Sequence, residues 1–284
     1  MKKPRSIKAD YNATDLKATK DFLTGTRQPY VMEISNYTCK IISESLIITF
    51  MRKAQSNKVF SAAAKITKDL QGKPIPDINP NRNFYYDTSF KGDVFYADSV
   101  QMVDIKSAYA TIMRNEGLIT EKTYQYVNSL PKADRLAAIG MIASRKDIFH
   151  ITADGKTKQM PPRISELAPF FFYCVQKTDD IIQCIKNQIL YDSFLFSWVD
   201  AVFFISPFDS HKKITQDYLK RDFNLDSTAQ NLTNFEVILK PQHEHYLVKC
   251  TDEKGRQKPF IIPLPESYLK KQIIAYSLQK NKIQ

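Results

Sequence analysis

The pattern of hydrophobic and polar positions changes along the chain. Residues 41–70 carry apolar positions at intervals of three and four among helix-forming residues, which predicts one or two amphipathic helices. From residue 83 aromatic and polar residues alternate around Lys91 and Gly92, which predicts a β-hairpin. Helical and strand-like stretches then follow one another without regular alternation as far as residue 263. This order of elements predicts an α+β fold.

Two largely apolar stretches each contain a single aspartate. The first, residues 100–113, predicts a buried strand that ends at Asp104 and turns through Ser107 into a helix. In the second, residues 194–205, Asp200 interrupts an almost wholly apolar run near the turn of a predicted strand pair. A carboxylate in such surroundings needs a partner, and a metal ion is the strongest candidate. The alternative for Asp104 is a cap on the helix that follows.

Adjacent strands would bring the two carboxylates to one edge of a sheet. Two close carboxylates repel each other unless cations lie between them, so this arrangement predicts a site for two Mg²⁺ or Mn²⁺ ions. A two-metal site stabilises both the attacking and the leaving oxygen of an in-line phosphoryl displacement. Between the two aspartates, Pro131 is placed to open a helix over residues 132–146 whose Lys132 and Arg135 would close over a triphosphate.

Composition narrows the range of partners. The chain has 284 residues with 43% hydrophobic content, enough for a full core, and its 41 Lys and Arg against 30 Asp and Glu give a net charge of +11. This basic balance suits a polyanion such as nucleic acid. Only seven glycines occur, without a glycine-rich phosphate loop, so phosphates would be held by metals and basic side chains.

Compartment and redox state are also predicted from the sequence. No apolar run reaches the length of a membrane helix, and no apolar segment follows the basic N-terminus, so we expect a cytoplasmic protein that does not associate with a membrane. Four cysteines lack CxxC or zinc-site spacing. They are expected to be reduced and mostly buried thiols.

Three segments resemble motifs of the family B DNA polymerases, in the same order and with similar spacing. Residues 104–110 (DIKSAYA) resemble motif A, usually D-x-x-S-L-Y-P. Residues 132–140 (KADRLAAIG) are similar to motif B, K-x-x-x-N-S-x-Y-G, of which the lysine and the glycine are retained. Residues 197–204 (SWVDAVFF) resemble motif C, Y-G-D-T-D-S-I-F, with Asp200 at the second aspartate.

The resemblance implies a polymerase palm with an antiparallel sheet over residues 83–263. A helical fingers insertion would occupy about residues 110–162, extra helices in a basic region would cover residues 1–82, and a basic helix would cover residues 264–284. Because about eighty residues precede the palm, a compact enzyme without a proofreading exonuclease is expected.

The resemblance also assigns roles to individual residues. Asp104 and Asp200 would bind the metal ions with help from the carbonyl of Ile105. Ser107 would lie under the triphosphate, and Tyr109 would exclude a ribose 2′-hydroxyl. Lys132 would hold the phosphates, with Arg135 as the alternative because the register of motif B is ambiguous.

A group just upstream of motif A combines aromatic rings with positive charge. Tyr85, Tyr86 and Lys91 lie near the glycine turn at Gly92, where family members also carry a glycine turn. Rings and cations together suit stacked bases and phosphates. We therefore expect contacts with template or primer here.

The implied activity is template-directed DNA synthesis, in which dNTPs are joined to a primer 3′-OH by a phage or mobile-element enzyme. It would act in the cytoplasm of a bacterial or phage-infected cell, on a DNA primer–template, with a replication accessory protein as a further partner. Trp198 replaces the first aspartate of motif C, and motif B lacks its asparagine, serine and tyrosine. The missing motif B residues favour an alternative, a catalytically degenerate palm-like protein that binds nucleic acid or a replication or virion partner. A metal-dependent nuclease is disfavoured by the few acidic neighbours.

Overall fold

The computed structural model describes residues 4–51, 56–79, 86–88, 93–206, 208, 210–240 and 245–263. The seven helices of this part of the chain are α1 (Ala13–Gly25), α2 (Asn57–Leu70), α3 (Ala108–Asn115), α4 (Glu121–Asn128), α5 (Lys132–Met141), α6 (Ala168–Gln188) and α7 (Ser210–Phe223). The first eight strands are β1 (Arg5–Asp10), β2 (Tyr30–Ile34), β3 (Thr38–Ser43), β4 (Leu46–Met51), β5 (Tyr86–Thr88), β6 (Val94–Ile105), β7 (Arg145–Ile151) and β8 (Thr157–Ile164). They are followed by β9 (Phe194–Trp198), β10 (Ala201–Phe204), β11 (Ser227–Lys240), β12 (His245–Thr251) and β13 (Phe260–Pro263).

The chain divides into two compact units. The first comprises Met1–Gln71 with Ser129–Ala168, and the second comprises Gly72–Asn128 with Pro169–Gln284. Each unit contains one sheet, in the order β1-β4-β3-β2-β7-β8 in the first and β13-β12-β11-β6-β10-β9-β5 in the second. Helices and strands are thus mixed without regular alternation, which confirms the predicted α+β class.

In the first unit, one face of the sheet is packed and the other is not. Leu16 and Leu23 of α1 pack on alternate strand residues that include Met32, Ile41 and Phe50. Because successive strand residues point to opposite faces, the residues between them form the second face. Every described residue on that second face is exposed or half-buried.

The second unit has an antiparallel sheet that curls strongly. β6 lies at its centre, between β10 and β11. Four strands separate β9 from β13 in the sheet order, yet the ring of Trp198 stacks on that of Phe260 with centroids 5.1 Å apart. Phe196, Phe203 and Phe235 fill the space inside the curl. One face of this sheet is therefore occupied by the protein's own aromatic core.

Several local predictions are confirmed. β6 leads through Ser107 into α3, Pro131 directly precedes α5, and β9 and β10 form a strand pair with Asp200 at the turn. All four cysteines are free, and three of them are buried. Among the described residues, no helix combines the length and apolar character of a membrane span.

The prediction of one or two helices over residues 41–70 is confirmed by α2 but is wrong for residues 41–51, because residues 38–51 form β3 and β4. The segment is rich in isoleucine and threonine, which favour strands, and Cys39, Ile41 and Ser43 are buried at every second position. The helix predicted to run from 132 to 146 ends at Met141, since the next residues enter β7 and pair with β2.

The predicted pairing of the two strands that flank Lys91 and Gly92 is also wrong. β5 pairs with β9, and β6 pairs with β10 and β11 instead. In the β9–β10 hairpin, β10 pairs with one edge of β6, and β5 pairs with β9 on the side of the hairpin away from β6. The predicted basic helix over residues 264–284 lies outside the described residues. The palm and fingers assignments stay predictions.

Candidate two-carboxylate site

Asp104 lies near the end of the central strand of the second unit. It is half-buried, and it is directly opposite Ala201 of β10 and Thr228 of β11. Residues directly opposite in an antiparallel pair share a face of the sheet. Asp104 therefore lies on the same face as the small side chain of Ala201, the residue that follows Asp200.

Asp200 lies in the two-residue turn that joins β9 to β10. Trp198 and Ala201 close the turn, and Val199 adopts a left-handed conformation with φ 57°. This conformation is unfavourable for a β-branched residue, so the surrounding structure must hold it. The backbone N–H of Ile105 donates a hydrogen bond to the carbonyl of Asp200 at 2.9 Å. The turn is thereby fixed beside the residue that follows Asp104.

The pairing of β6 with β10 and the hydrogen bond from Ile105 bring the backbone at Asp104 close to that at Asp200, although the two residues are far apart in sequence. Both are half-buried and each lies at the end of a strand. Carboxylate and backbone carbonyl oxygens are the hard ligands that Mg²⁺ and Mn²⁺ prefer, and Mg²⁺ commonly uses one or two carboxylates together with substrate phosphates. The donor set of Asp104, Asp200 and the Ile105 carbonyl fits such an ion. Within the described residues, no cluster of three or more His, Cys, Asp or Glu is arranged around a metal position.

Ser107 begins the turn into α3. It has φ 53°, and its hydroxyl donates a 2.6 Å hydrogen bond to Oδ1 of Asn128 at the end of α4 instead of capping α3. Asn128 was not identified from the sequence, because an asparagine at the end of a polar helix carries no signal of a distant partner. Asn128 therefore positions Ser107, the residue after β6 that is predicted to lie under the triphosphate.

Tyr109 is turned into the protein. Only 9% of its surface is exposed, and its ring packs edge-on against Phe171 of α6 with centroids 5.4 Å apart. Phe170 and Phe172 of the same helix are buried as well. In this conformation Tyr109 joins the layer between α3 and α6.

A third aspartate, Asp226, lies at the same end of the sheet. The backbone N–H of Lys106 donates to its carbonyl at 2.8 Å, just before β11 begins. Its carboxylate forms a 3.0 Å ion pair with Lys220 of α7, and both side chains are exposed. Asp226 was not identified from the sequence, because its polar surroundings resemble those of any surface turn. The ion pair directs the carboxylate to Lys220.

The other predicted site residues belong to other elements. Lys132 and Arg135 belong to α5 of the first unit, where Lys132 is exposed and Arg135 approaches the carbonyl of Leu130 at 3.5 Å. Tyr86 begins β5. Tyr85, Lys91 and Gly92 lie outside the described residues, so their expected contact with nucleic acid stays a prediction.

A cavity of about 500 Å³ opens at the other end of α3, between α6 and α7, and does not include Asp104 or Asp200. Beside it the hydroxyl of Tyr173 donates a 2.6 Å hydrogen bond to Glu116. Burial and this carboxylate together raise the pKa of Tyr173 well above its usual range. Burial likewise raises the pKa of the Cys174 thiol, so this cysteine is a packing residue and not a nucleophile.

Comparison with known protein families gives no match, and comparison with curated proteins gives none either.

Proposed function

We propose that the chain is a template-directed DNA polymerase that joins dNTPs to a primer 3′-OH by a two-metal mechanism. The observation that carries this proposal is the pairing of β6 with the β9–β10 hairpin, which brings Asp104 next to the turn that contains Asp200. It is the arrangement expected if the two segments correspond to motifs A and C. The antiparallel sheet around β6, with α3 and α6 packed together beside it, is consistent with a palm.

The residues of the site would divide the chemistry between them. Asp104 and Asp200 would hold two divalent ions, and the Ile105 carbonyl would complete the protein's oxygen ligands. Divalent ions held there would supply activation of the primer hydroxyl and stabilisation of the charge that develops on the triphosphate. Ser107, whose hydroxyl donates to Asn128, would lie under the triphosphate. The roles of Lys132, Arg135 and Tyr109 stay predictions.

Primer extension tests this function. The assay uses a short primer–template, all four dNTPs and Mg²⁺ or Mn²⁺, with wild type, Asp104→Asn and Asp200→Asn. Each substitution keeps the side-chain volume and removes the charge, so we expect extension to fall by about 10³-fold or more, the scale of losing a transition-state contact of several kcal/mol.

The matched control for both substitutions is Asp98→Asn. Asp98 is exposed and lies on the same strand as Asp104, about 20 Å away at the rise of an extended strand. Its variant should extend primers at the wild-type rate. Wild type that does not extend primers in either metal, or variants of Asp104 and Asp200 that retain activity, would contradict the proposal.

A second function, a palm-like protein that binds nucleic acid or a replication or virion partner without catalysis, is favoured by Trp198. This residue takes the position of the first aspartate in the motif C resemblance, and its ring stacks nearly parallel on Phe260, at 7°. A ring packed in this way is a structural element and cannot serve as a ligand. Nucleic-acid binding by wild type that extends no primer, with binding unchanged in Asp104→Asn, is the result this second function predicts.

A further inference from the structure

Positive charge is divided very unequally between the two units. The first unit carries 20 Lys and Arg against 10 Asp and Glu, a net charge of +10. The second, larger unit carries 21 against 20, a net charge of +1. Almost all of the basic character that points to a polyanionic partner therefore belongs to the unit without the two aspartates.

Part of this charge lies on one face of the six-stranded sheet, opposite α1. We name this surface the open face. Strand register brings five basic residues onto it, namely Lys8, Lys40, Lys146, Lys158 and Arg163. Asp10 and Glu33 are its two acidic residues, so the open face has a net charge of +3.

Two of the cations face each other across β7 and β8. Lys146 is directly opposite Arg163, an arrangement of like charges that is unfavourable unless an anion lies near. Lys146 forms a 3.3 Å ion pair with Glu33, whereas Arg163 has no ion-pair partner among the described residues. Both line a cavity of about 430 Å³ that also contains polar side chains of Thr67, Ser144, Ser165 and Glu166. The cavity is large enough for a phosphate group, and Arg163 is available to bind it.

Aliphatic side chains lie between these cations. Val31, Ile42 and Ile148 are half-buried on the open face, where Val31 is directly opposite Ile42 and Ile148 is directly opposite Glu33. A duplex presents mainly phosphates to a flat surface, whereas an unpaired strand also presents the apolar faces of its bases. Cations and aliphatic groups on the same face match an unpaired strand.

We infer that the open face binds single-stranded DNA through its phosphate backbone, independently of the two aspartates. This inference rests on the proposal that the partner is a nucleic acid, but not on nucleotidyl transfer. Its test is fluorescence anisotropy of a labelled oligothymidylate over a range of salt concentrations, with EDTA present and dNTPs absent.

The test variant is Lys40→Gln with Lys158→Gln, because neither lysine forms an ion pair within the described residues. Each lost phosphate contact should reduce the magnitude of the slope of log K against log salt by about 0.7. The slope of the double variant should therefore be smaller in magnitude by about 1.4. At about 100 mM salt this corresponds to roughly 25-fold weaker binding. The matched control is Lys17→Gln with Lys20→Gln on α1, which removes the same charge from the opposite side of the sheet and should leave the slope unchanged.

Equal losses in the test and control variants would overturn the inference, as would no loss in either. Competition by a blunt duplex as strong as that by the oligothymidylate would overturn the assignment to an unpaired strand. Thermal unfolding of both double variants must match wild type. A variant with Asp104→Asn and Asp200→Asn should bind the oligothymidylate like wild type, so that a failure of catalysis is separated from a failure of this surface.

Discussion

The sheets of the two units differ in how their faces are covered. In the second unit the sheet curls until Trp198 meets Phe260, and its concave face is filled with the protein's own rings. In the first unit the open face keeps its side chains exposed or half-buried and carries a net charge of +3. The net charges of the units, +1 and +10, follow the same division.

The residues suited to metal-assisted chemistry and those suited to phosphate contacts therefore lie in different units, a division that the net charge of the whole chain does not reveal. The aspartates suited to metal-assisted chemistry belong to a nearly neutral unit, where a carboxylate pair is not flanked by a large excess of lysine and arginine. The basic residues suited to phosphate contacts belong to the other unit. A charge of +11 for the chain indicates a nucleic-acid partner but does not indicate which unit binds it.

The largest expected effect is on the free energy of unfolding, when the same substitution is made in the packed sheet of the second unit and on the open face of the first. Ile262→Ala, on β13 inside the aromatic core, should lower the free energy of unfolding by about 2 to 5 kcal/mol, because its side chain is fully buried and its removal leaves a cavity. Ile42→Ala makes the same change on the open face and should cost less than about 1 kcal/mol, since this side chain remains partly in water. Urea denaturation measures both. Equal costs would show that the two faces are not packed differently.

A second comparison uses two hairpin turns that each contain an aspartate. Asp252 is 5% exposed and accepts two hydrogen bonds from the guanidinium of Arg256 and others from backbone N–H groups, which hold its pKa well below its usual range. In the first unit Asp154, which pairs with Lys156, is exposed. Asp252→Asn should therefore lower the urea midpoint at pH 7 more than Asp154→Asn does.

The pH dependence of that difference has a definite sign. The pKa of Asp252 is lower in the folded protein than in the unfolded chain, where an aspartate titrates near pH 3.9. Folding thus favours the ionised form, so the stabilisation is complete above about pH 5 and is lost as the pH falls through the folded pKa. The gap between wild type and Asp252→Asn should narrow below pH 4. A gap that widens in acid would contradict this explanation.

The smallest expected effect concerns the turn at Asp200. Val199 has φ 57°, so Val199→Gly should remove backbone strain of about 1 to 2 kcal/mol and lose about 0.5 to 1 kcal/mol in chain entropy. The net result should be unchanged or slightly higher stability in a thermal melt. In contrast, Val202→Gly in the neighbouring buried strand should be clearly destabilising. Marked destabilisation by Val199→Gly would mean that the valine side chain, and not the turn geometry, is required.

The sequence predicted those strands and candidate residues that depend on the pattern of neighbouring residues. A lone aspartate at the end of one apolar run and within another made Asp104 and Asp200 the candidates, and the same runs predicted the strands that form there. The pairing of β5 with β9, and of β7 with β2, depends on contacts between distant segments that no local pattern contains. Residues 41–51 were misassigned because apolar residues at intervals of three and four, such as Ile42 with Leu46 and Ile47 with Phe50, also fit two strands with a turn at Glu44. Asn128 and Asp226 were missed because polar residues at surface turns carry no signal of their partners.

The central claim is that Asp104 and Asp200 bind divalent ions as one unit, and Mn²⁺ binding tests it most directly. The free-ion electron paramagnetic resonance signal measures binding to wild type, Asp104→Asn, Asp200→Asn and the double variant, with a dideoxy-terminated primer–template and the matching dNTP present. If the two carboxylates act together, either single substitution should weaken binding by about tenfold or more, and the double variant should bind no more weakly than the worse single variant. Independent losses that multiply in the double variant, or Mn²⁺ binding unchanged in all three variants, would contradict the account.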